Sequence, residues 1–387
     1  MVRFTPTNEV RAARYAVAAI FCINGMALAN WITRIPDVKA ALGLSDALLG
    51  IALFSLAGGA LAAQVITGWL VGRYGSRGVT TALAIGFGLS VALPGQTHTL
   101  PQLIAALVVL GGLNGGLDVA MNAQAALVER RYERTIMSSF HGLWSAGGLI
   151  GAGIGGLLGA RGVALPWHLG VVAIVTASLM ALVSRWLLAD PPHADGGPAF
   201  AAPPRALLAM GLLAFSVLLC EGAVADWSAV YLRDGLGAGP GMAAAGYGAF
   251  ALTMAAGRLS GDWIILRLGP LAIVRGGAVL VVLGVGLALL GGLVPLAVVG
   301  FGLIGAGLAT VFPLILSAAA RTPGVAPATA IAAMATAGYS GFLVGPPLIG
   351  SAAAALTLRG ALGLLALCGL LMLLLAGRLR SSTDGHR

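Results

Sequence analysis

Residues 206–232 read ALLAMGLLAFSVLLCEGAVADWSAVYL, and Glu221 and Asp226 are the only charged side chains in this run. A helix needs about 20 predominantly apolar residues to cross the hydrocarbon core of a bilayer, so the run is long enough to be a membrane span. A carboxylate is costly in hydrocarbon, so an acid retained there usually faces a cavity or a partner. The run therefore predicts a transmembrane helix that carries a functional site.

The whole chain has the composition of a membrane protein. Of its 387 residues, 59% are hydrophobic and 9% are charged, and the mean hydropathy is +0.97. Soluble chains average about 25% charged residues, and disordered chains lack this hydrophobicity. Lys39 is the only lysine, which excludes a phosphate-binding loop, and three scattered cysteines form neither a disulfide framework nor a metal site. We expect an all-α polytopic membrane protein that uses no cofactor or metal and is not an enzyme.

Similar apolar runs lie between the charges, prolines and polar clusters of the rest of the chain. Together they make twelve predicted spans, near residues 14–35, 46–72, 79–96, 101–128, 136–160, 165–189, 206–232, 242–267, 270–291, 294–320, 326–356 and 359–379. Cytoplasmic loops are rich in Lys and Arg, and an inside N-terminus puts 17 of the 22 cations on the cytoplasmic side. We therefore expect a multi-pass protein of a bacterial-type inner membrane with both termini cytoplasmic. The net charge of +9 belongs to this topology and not to nucleic-acid binding.

A proline-rich break divides the spans into two sets of six. Residues 190–205, DPPHADGGPAFAAPPR, form a predicted cytoplasmic linker between an N-terminal bundle, residues 1–189, and a C-terminal bundle, residues 206–387. Four motifs recur in the two halves at offsets between 189 and 197 residues. Two of them are NGMALANW at 24–31, which matches EGAVADW at 221–227, and Gly-x-x-x-Gly, which occurs at 68–72 and at 257–261. The other two are GLNGGL at 112–117, which matches GLIGAGL at 302–308, and Trp144-Ser145, which matches Tyr339-Ser340. One internal duplication explains all four, and transporters are often built from such repeats.

The loop at 68–78, GWLVGRYGSRG, resembles the Gly-x-x-x-Asp-Arg-x-Gly-Arg-Arg signature of the major facilitator superfamily, with Gly72 in place of the aspartate. GLDVAMNAQA at 116–125, HGLWSAGGLIGAG at 141–153 and EGAVADWS at 221–228 are similar to the fucose-permease-like branch and its bacterial inner-membrane relatives. The resemblance implies two pseudo-symmetric six-helix bundles around a central cavity lined by helices 1, 4, 7 and 10. It also implies alternating access by rocking of the halves, often driven by a proton gradient.

Acids deep inside the spans mark the candidate proton-coupling site. Glu221 lies well inside span 7, and Asp118 lies near the middle of span 4. A carboxyl group that is neutral when occluded and ionisable when water reaches it suits a proton carrier. The alternatives are an ion pair between Glu221 and Arg34 and a helix–helix hydrogen bond made by Asp118.

Polar and aromatic residues near these acids form the candidate solute site. Asn114, Asp118 and Asn122 are spaced four apart and share one helix face, where amides can bond the hydroxyl groups of a solute or hold helices together. Asn24 stands in the first half where Glu221 stands in the second. Aromatic side chains at matched places can stack on a sugar ring or anchor the chain at the membrane interface; the candidates are Trp31, Trp227 and Tyr339.

Residues nearer the span ends are candidates for a gate. Arg34 and Asp226 lie toward the outer surface and are predicted to form an outer gate or structural pair, while His141 can join a proton path or serve as a packing residue. Small residues at four-residue spacing let helix backbones approach closely. By resemblance, helix 5 packs on helix 8 between the bundles, so we expect a smooth domain interface of six glycines: Gly147, Gly151, Gly155, Gly159, Gly257 and Gly261.

The expected function is secondary active transport of a small solute, favoured to be neutral and sugar-like, in symport with protons. The runner-up is a proton-antiporting exporter of drugs or metabolites, since acids lining a cavity also suit cationic amphiphiles. A third interpretation is a non-transporting membrane sensor. The expected partners are the solute, protons and the lipid bilayer, and we expect a monomer.

Overall fold

The protein is almost entirely helical in the residues that the computed structural model describes, which are 7–134, 136–190 and 201–379. The helices before the predicted linker are α1 (Asn8–Ile32), α2 (Ile35–Ala41), α3 (Asp46–Tyr74), α4 (Ser76–Ser90), α5 (Leu100–Tyr132), α6 (Met137–Ala160) and α7 (Leu165–Val183). Those after it are α8 (Leu208–Val230), α9 (Pro240–Leu290), α10 (Val294–Leu308), α11 (Val311–Ala319), α12 (Pro327–Leu362) and α13 (Leu364–Leu375). Within the described ranges, ten helical segments are long and apolar enough to cross a membrane, which confirms the predicted all-α membrane class.

Local sequence chemistry sets the helix ends. At the start of α5, the hydroxyl of Thr99 accepts a hydrogen bond from Gln102 N at 3.4 Å, as an N-cap residue does. Gly75 separates α3 from α4 with φ 79°, and Gly269 interrupts α9 with φ 74°. Both angles lie in the region that glycine adopts at low cost. The two glycines occupy corresponding places in the two halves, which is what the predicted duplication requires.

Contacts divide the described chain into two compact units. Unit 1 comprises residues 1–34 and 55–196, and unit 2 comprises residues 35–54 and 197–387. In unit 1, α1 packs on α6, and α4 packs on α5 and α7. In unit 2, α8 packs on α12, and α9 packs on α10 and α13. The same order of helix pairs therefore recurs in both units, in agreement with the motif offsets.

Residues 35–54 belong to unit 2, although the chain on both sides of them belongs to unit 1. This grouping departs from the predicted bundles at 1–189 and 206–387. The reason is close packing, because a Cβ added at Gly50 of α3 would meet the carbonyl oxygen of Pro346 in α12 at 2.6 Å. Residues 191–200 of the predicted linker lie outside the described residues.

Ion pairs hold α2 to the turn that follows α8. Nζ of Lys39 lies 2.6 Å from Oδ2 of Asp234 and 2.6 Å from Oδ1 of Asp46. Arg233 pairs with Asp37 in the same region. These side chains are partly exposed, and exposed pairs contribute only about 0–1 kcal/mol each. These ion pairs therefore contribute little to the stability of the fold, and their main effect is to fix the position of α2.

Candidate functional site

A polar cluster joins α1, α5 and α6 inside unit 1. Nδ2 of Asn24 donates to Oδ1 of Asn114 at 3.0 Å, and Nε1 of Trp144 donates to Oδ1 of Asn24 at 2.7 Å. Asn24 is 2% exposed, and both ends of its amide are occupied. Asn24 therefore orients Asn114 and Trp144, and its predicted direct contact with a solute would require one of these bonds to break.

Glycines bring the helices of this cluster close together. Gly25, next to Asn24, lies against the backbone of Trp144, where an added Cβ would collide with the carbonyl oxygen. Gly115, next to Asn114, lies equally close to the backbone of α3. Short amide side chains can therefore reach across the helix interfaces, as small residues permit in membrane bundles.

Asp118 and Asn122 continue the polar face of α5 beyond Asn114. Nδ2 of Asn122 donates to Oδ1 of Asp118 at 3.0 Å and to the carbonyl oxygen of the same residue at 2.8 Å. Both side chains are partly exposed. This face combines one carboxylate with amides, so it can accept and donate hydrogen bonds to a polyhydroxyl compound.

A largely buried ion pair lies inside unit 2. Nη2 of Arg258 in α9 lies 3.3 Å from Oε1 of Glu221 in α8, and the side chains are 17% and 12% exposed. Glu221 is far from both ends of α8, so the pair lies in the membrane-spanning part of the helix. The alternative considered for Glu221 was an ion pair with Arg34, whereas the partner in the structure is Arg258 of the same unit.

Arg258 was not predicted as a site residue, because the positive-inside rule placed it among the cations of the cytoplasmic side. A usable signal was present in the sequence, since Arg258 lies within the predicted span 242–267. An arginine inside a span is as costly as an acid and calls for a partner in the same way.

A second buried network lies at the other end of α1, within unit 1. Nη1 of Arg34 lies 2.8 Å from Nδ1 of His168, and Nη2 donates to the carbonyl oxygen of Val163 at 3.0 Å. Nε2 of His168 lies 2.8 Å from Oδ1 of Asn30. A guanidinium only donates, so Nδ1 of His168 accepts, and the neutral ring donates from Nε2 to Asn30. No motif or spacing in the sequence marks His168 as a site residue.

The predicted pair between Arg34 and Asp226 stays a prediction. Arg34 belongs to unit 1 and Asp226 to unit 2. Asp226 is a partly buried residue of α8. His141, the third gate candidate, packs its ring edge-on against Phe21 with the ring centroids 5.3 Å apart, which supports the packing alternative.

The three aromatic candidates differ in how far they are enclosed. Trp31 and Trp227 are 1% and 0% exposed, so a solute reaches their indoles only after helices move. Tyr339 of α12 is partly exposed, and its ring centroid lies 6.4 Å from that of Phe342. Of the three, Tyr339 has the most accessible ring.

The glycines of the expected domain interface that make close contacts pack within their own units, and their role between the bundles stays a prediction. Gly147 and Gly151 of α6 lie against the backbone of Cys22 and Met26 in α1, so an added Cβ would collide inside unit 1. Three more of these glycines also pack closely within their own unit: Gly155 against Thr33, Gly257 against Ala309 and Gly261 against Thr310. The four-residue spacing predicted close packing but not which helix would provide it. For Gly159 the interface role stays a prediction.

Comparison with known proteins identifies the fold and the family. The model of the Major Facilitator Superfamily matches residues 17–346. An uncharacterized MFS-type transporter of Yersinia pestis is 35% identical over 94% of both chains, and an uncharacterized transporter of Sinorhizobium fredii is 37% identical over 89% of this chain and 92% of its own. A mutant form of the nucleoside transporter NupG has the same fold, with a TM-score of 0.74 and 13% identity over 96% of this chain and 100% of that chain.

These matches bear on the whole chain and not on one segment of it. The family and the relatives named above are transporters and not enzymes. The superfamily that residues 68–78 predicted is therefore confirmed, and the chain belongs to the Major Facilitator Superfamily.

Proposed function

We propose that this transporter moves a small neutral solute, such as a sugar, across a bacterial inner membrane in symport with protons by alternating access. The observation that carries the coupling is the ion pair between Glu221 and Arg258. Neutralising Glu221 removes an opposite charge 3.3 Å from Arg258 in a low-dielectric interior, and losing one partner of a buried pair costs about 3–5 kcal/mol. Proton uptake by Glu221 is thus linked to a change in the surroundings of Arg258.

The solute side of the proposal rests on unit 1. The face of α5 presents Asn114, Asp118 and Asn122, and Asn24 orients the first of them. Amides and a carboxylate suit a hydroxyl-rich compound, because each hydroxyl group both donates and accepts. The partly exposed ring of Tyr339 in α12 stays a predicted stacking surface for a ring-shaped solute.

The proposed topology has twelve spans with both termini in the cytoplasm. α9 has 51 residues and at about 1.5 Å per residue is more than twice as long as a hydrocarbon core of about 30 Å. Its interruption at Gly269 separates two spans, and the positive φ of Thr357 in α12 separates two more. The chain is also proposed to act as a monomer, and the outer-gate roles of Arg34 and Asp226 stay predictions.

The test is solute-induced proton movement in liposomes that contain the purified protein and an internal pH dye. Under symport, an external sugar acidifies the lumen, and Glu221→Gln abolishes the signal. Alkalinisation, together with tighter binding of hydrophobic cations than of sugars, would establish the exporter of drugs or metabolites instead. Solute binding with no flux of solute or protons would establish the sensor.

A further inference from the structure

An open groove of about 430 Å³ lies between α4 and α7 in unit 1. Arg77 and Arg185 stand at the groove, and its remaining lining includes the small residues Gly78, Ala82 and Ala181. The groove shares no residue with the proposed solute and proton sites, which lie on other helices. Its charge and shape therefore call for a different ligand.

Arg77 and Arg185 both line the groove, and its described lining holds no carboxylate. Nη2 of Arg77 donates to the carbonyl oxygen of Arg185 at 3.2 Å, and both side chains are exposed. Asp190 follows Arg185 in the chain, but its carboxylate accepts hydrogen bonds from the backbone N of Ser76 at 2.9 Å and from its hydroxyl at 2.8 Å. Both arginines line the groove, so it carries positive charge that attracts an anion, and planar guanidinium donors match phosphate oxygens.

The part of α7 that supplies groove residues also exposes apolar side chains on its surface. Leu179 and Leu182 of α7 are 39% and 42% exposed, and Trp186 is 49% exposed beside Arg185, whose Cζ lies 5.5 Å from the indole centroid. Exposed leucines followed by a tryptophan and an arginine are typical of a helix that leaves the hydrocarbon at the head-group level. An anion in this groove is therefore positioned to belong to a lipid.

We propose that this groove binds the phosphodiester head group of an anionic phospholipid, of the phosphatidylglycerol type, from the leaflet on the cytoplasmic side. Arg77 and Arg185 bind the phosphate oxygens, and the acyl chains lie along the exposed leucines of α7. Basic pockets between transmembrane helices on the cytoplasmic side bind such head groups in the same way. The assignment of the leaflet follows from the positive-inside orientation.

The test is native mass spectrometry of the full chain in detergent, titrated with phosphatidylglycerol and with phosphatidylcholine of the same acyl chains. We expect phosphatidylglycerol to bind at least about tenfold more tightly, a difference of about 1.4 kcal/mol. Arg77→Gln and Arg185→Gln are each expected to reduce this preference, and together to abolish it. A double variant that keeps the preference, or equal binding of the two lipids by the unchanged protein, would overturn the proposal.

A second variant blocks the groove without removing charge. An added Cβ at Gly78 has no atom within 4 Å, so Gly78→Leu is expected to fold, fill the groove and weaken phosphatidylglycerol binding. Arg267→Gln is the matched control, because Arg267 is an exposed arginine stacked on Trp263 at 4.2 Å in unit 2. Loss of binding in this control, retained binding in Gly78→Leu, or displacement of the lipid by equimolar inorganic phosphate would each contradict the assignment.

Discussion

Oε1 of Glu221 lies 3.3 Å from Nη2 of Arg258, so the acid proposed to carry a proton is held by a guanidinium from a neighbouring helix of the same unit. The pair is largely withdrawn from solvent, and each charge depends on the other. A proton that neutralises Glu221 therefore removes the negative charge that attracts Arg258 at this contact. In this way a local protonation event can bias the position of α9 relative to α8.

Glu221→Gln is expected to abolish proton-driven accumulation, because glutamine keeps the shape of the side chain but cannot exchange a proton. Arg258→Gln is expected to be equally inactive and less stable, because it leaves a carboxylate unpaired. The double variant should be more stable than Arg258→Gln, with a coupling energy of about 0.5–3 kcal/mol. The measurements are uptake assays and reversible denaturation of the unchanged protein, the two single variants and the double variant. If the loss of stability in the double variant equalled the sum of the losses in the single variants, the pairing would be contradicted.

Asp118→Asn is expected to lose proton-driven accumulation while the protein remains folded. Asparagine retains an oxygen that accepts from Nδ2 of Asn122, so the hydrogen bond at 3.0 Å can persist. Downhill exchange of labelled solute should continue, because it needs no proton. Full accumulation against a proton gradient would remove Asp118 from the coupling mechanism.

Gly147→Val is expected to prevent correct packing of α6 on α1. The added atoms would collide with the backbone of Cys22, and overpacking typically costs about 1–3 kcal/mol or more where backbone must move. Gly153→Ala on the same helix is the control, since no atom lies within 4 Å of its added Cβ. The yield of monodisperse protein and its melting temperature should fall for Gly147→Val and stay level or rise for the control.

His168→Ala is expected to destabilise unit 1 by about 1–3 kcal/mol, because Arg34 and Asn30 each lose a buried hydrogen-bond partner. His98→Ala removes an exposed histidine and should change stability by less than about 0.5 kcal/mol. Thermal unfolding in detergent distinguishes the two. Equal melting temperatures for both variants would show that the Arg34–His168 contact contributes nothing.

Much of the fold was predictable because it depends on local properties of the chain. The predicted boundary between residues 267 and 270 brackets the interruption at Gly269, where a glycine is followed by a proline. The boundary after residue 356 coincides with the positive φ of Thr357. The glycine and proline at 269–270 act on their own backbone, so the first boundary can be predicted without knowledge of the neighbours. The boundary near Thr357 was predicted from the end of an apolar run.

The candidate site was only partly predictable, because helical spacing shows which residues share a face but not which helix lies opposite. Glu221 was identified from the cost of a charge in hydrocarbon, yet its partner Arg258 was not. His168 carried no spacing signal that joined it to Arg34. The spacing of the glycines in α6 predicted a close helix contact, and the tertiary structure showed that α1 is the partner.

Composition and the cost of buried charge are properties of single segments, so they were enough to predict the membrane class and to identify the acids of the spans. The repeated motifs predicted the internal duplication, and the resemblance of residues 68–78 to a known signature predicted the superfamily. The tertiary structure decided the partners: Arg258 for Glu221, His168 for Arg34, and α1 for the glycines of α6. It also grouped residues 35–54 with unit 2. Each of these depends on which helices pack together, and that choice is made by the complementary surfaces of the whole chain and not by one segment.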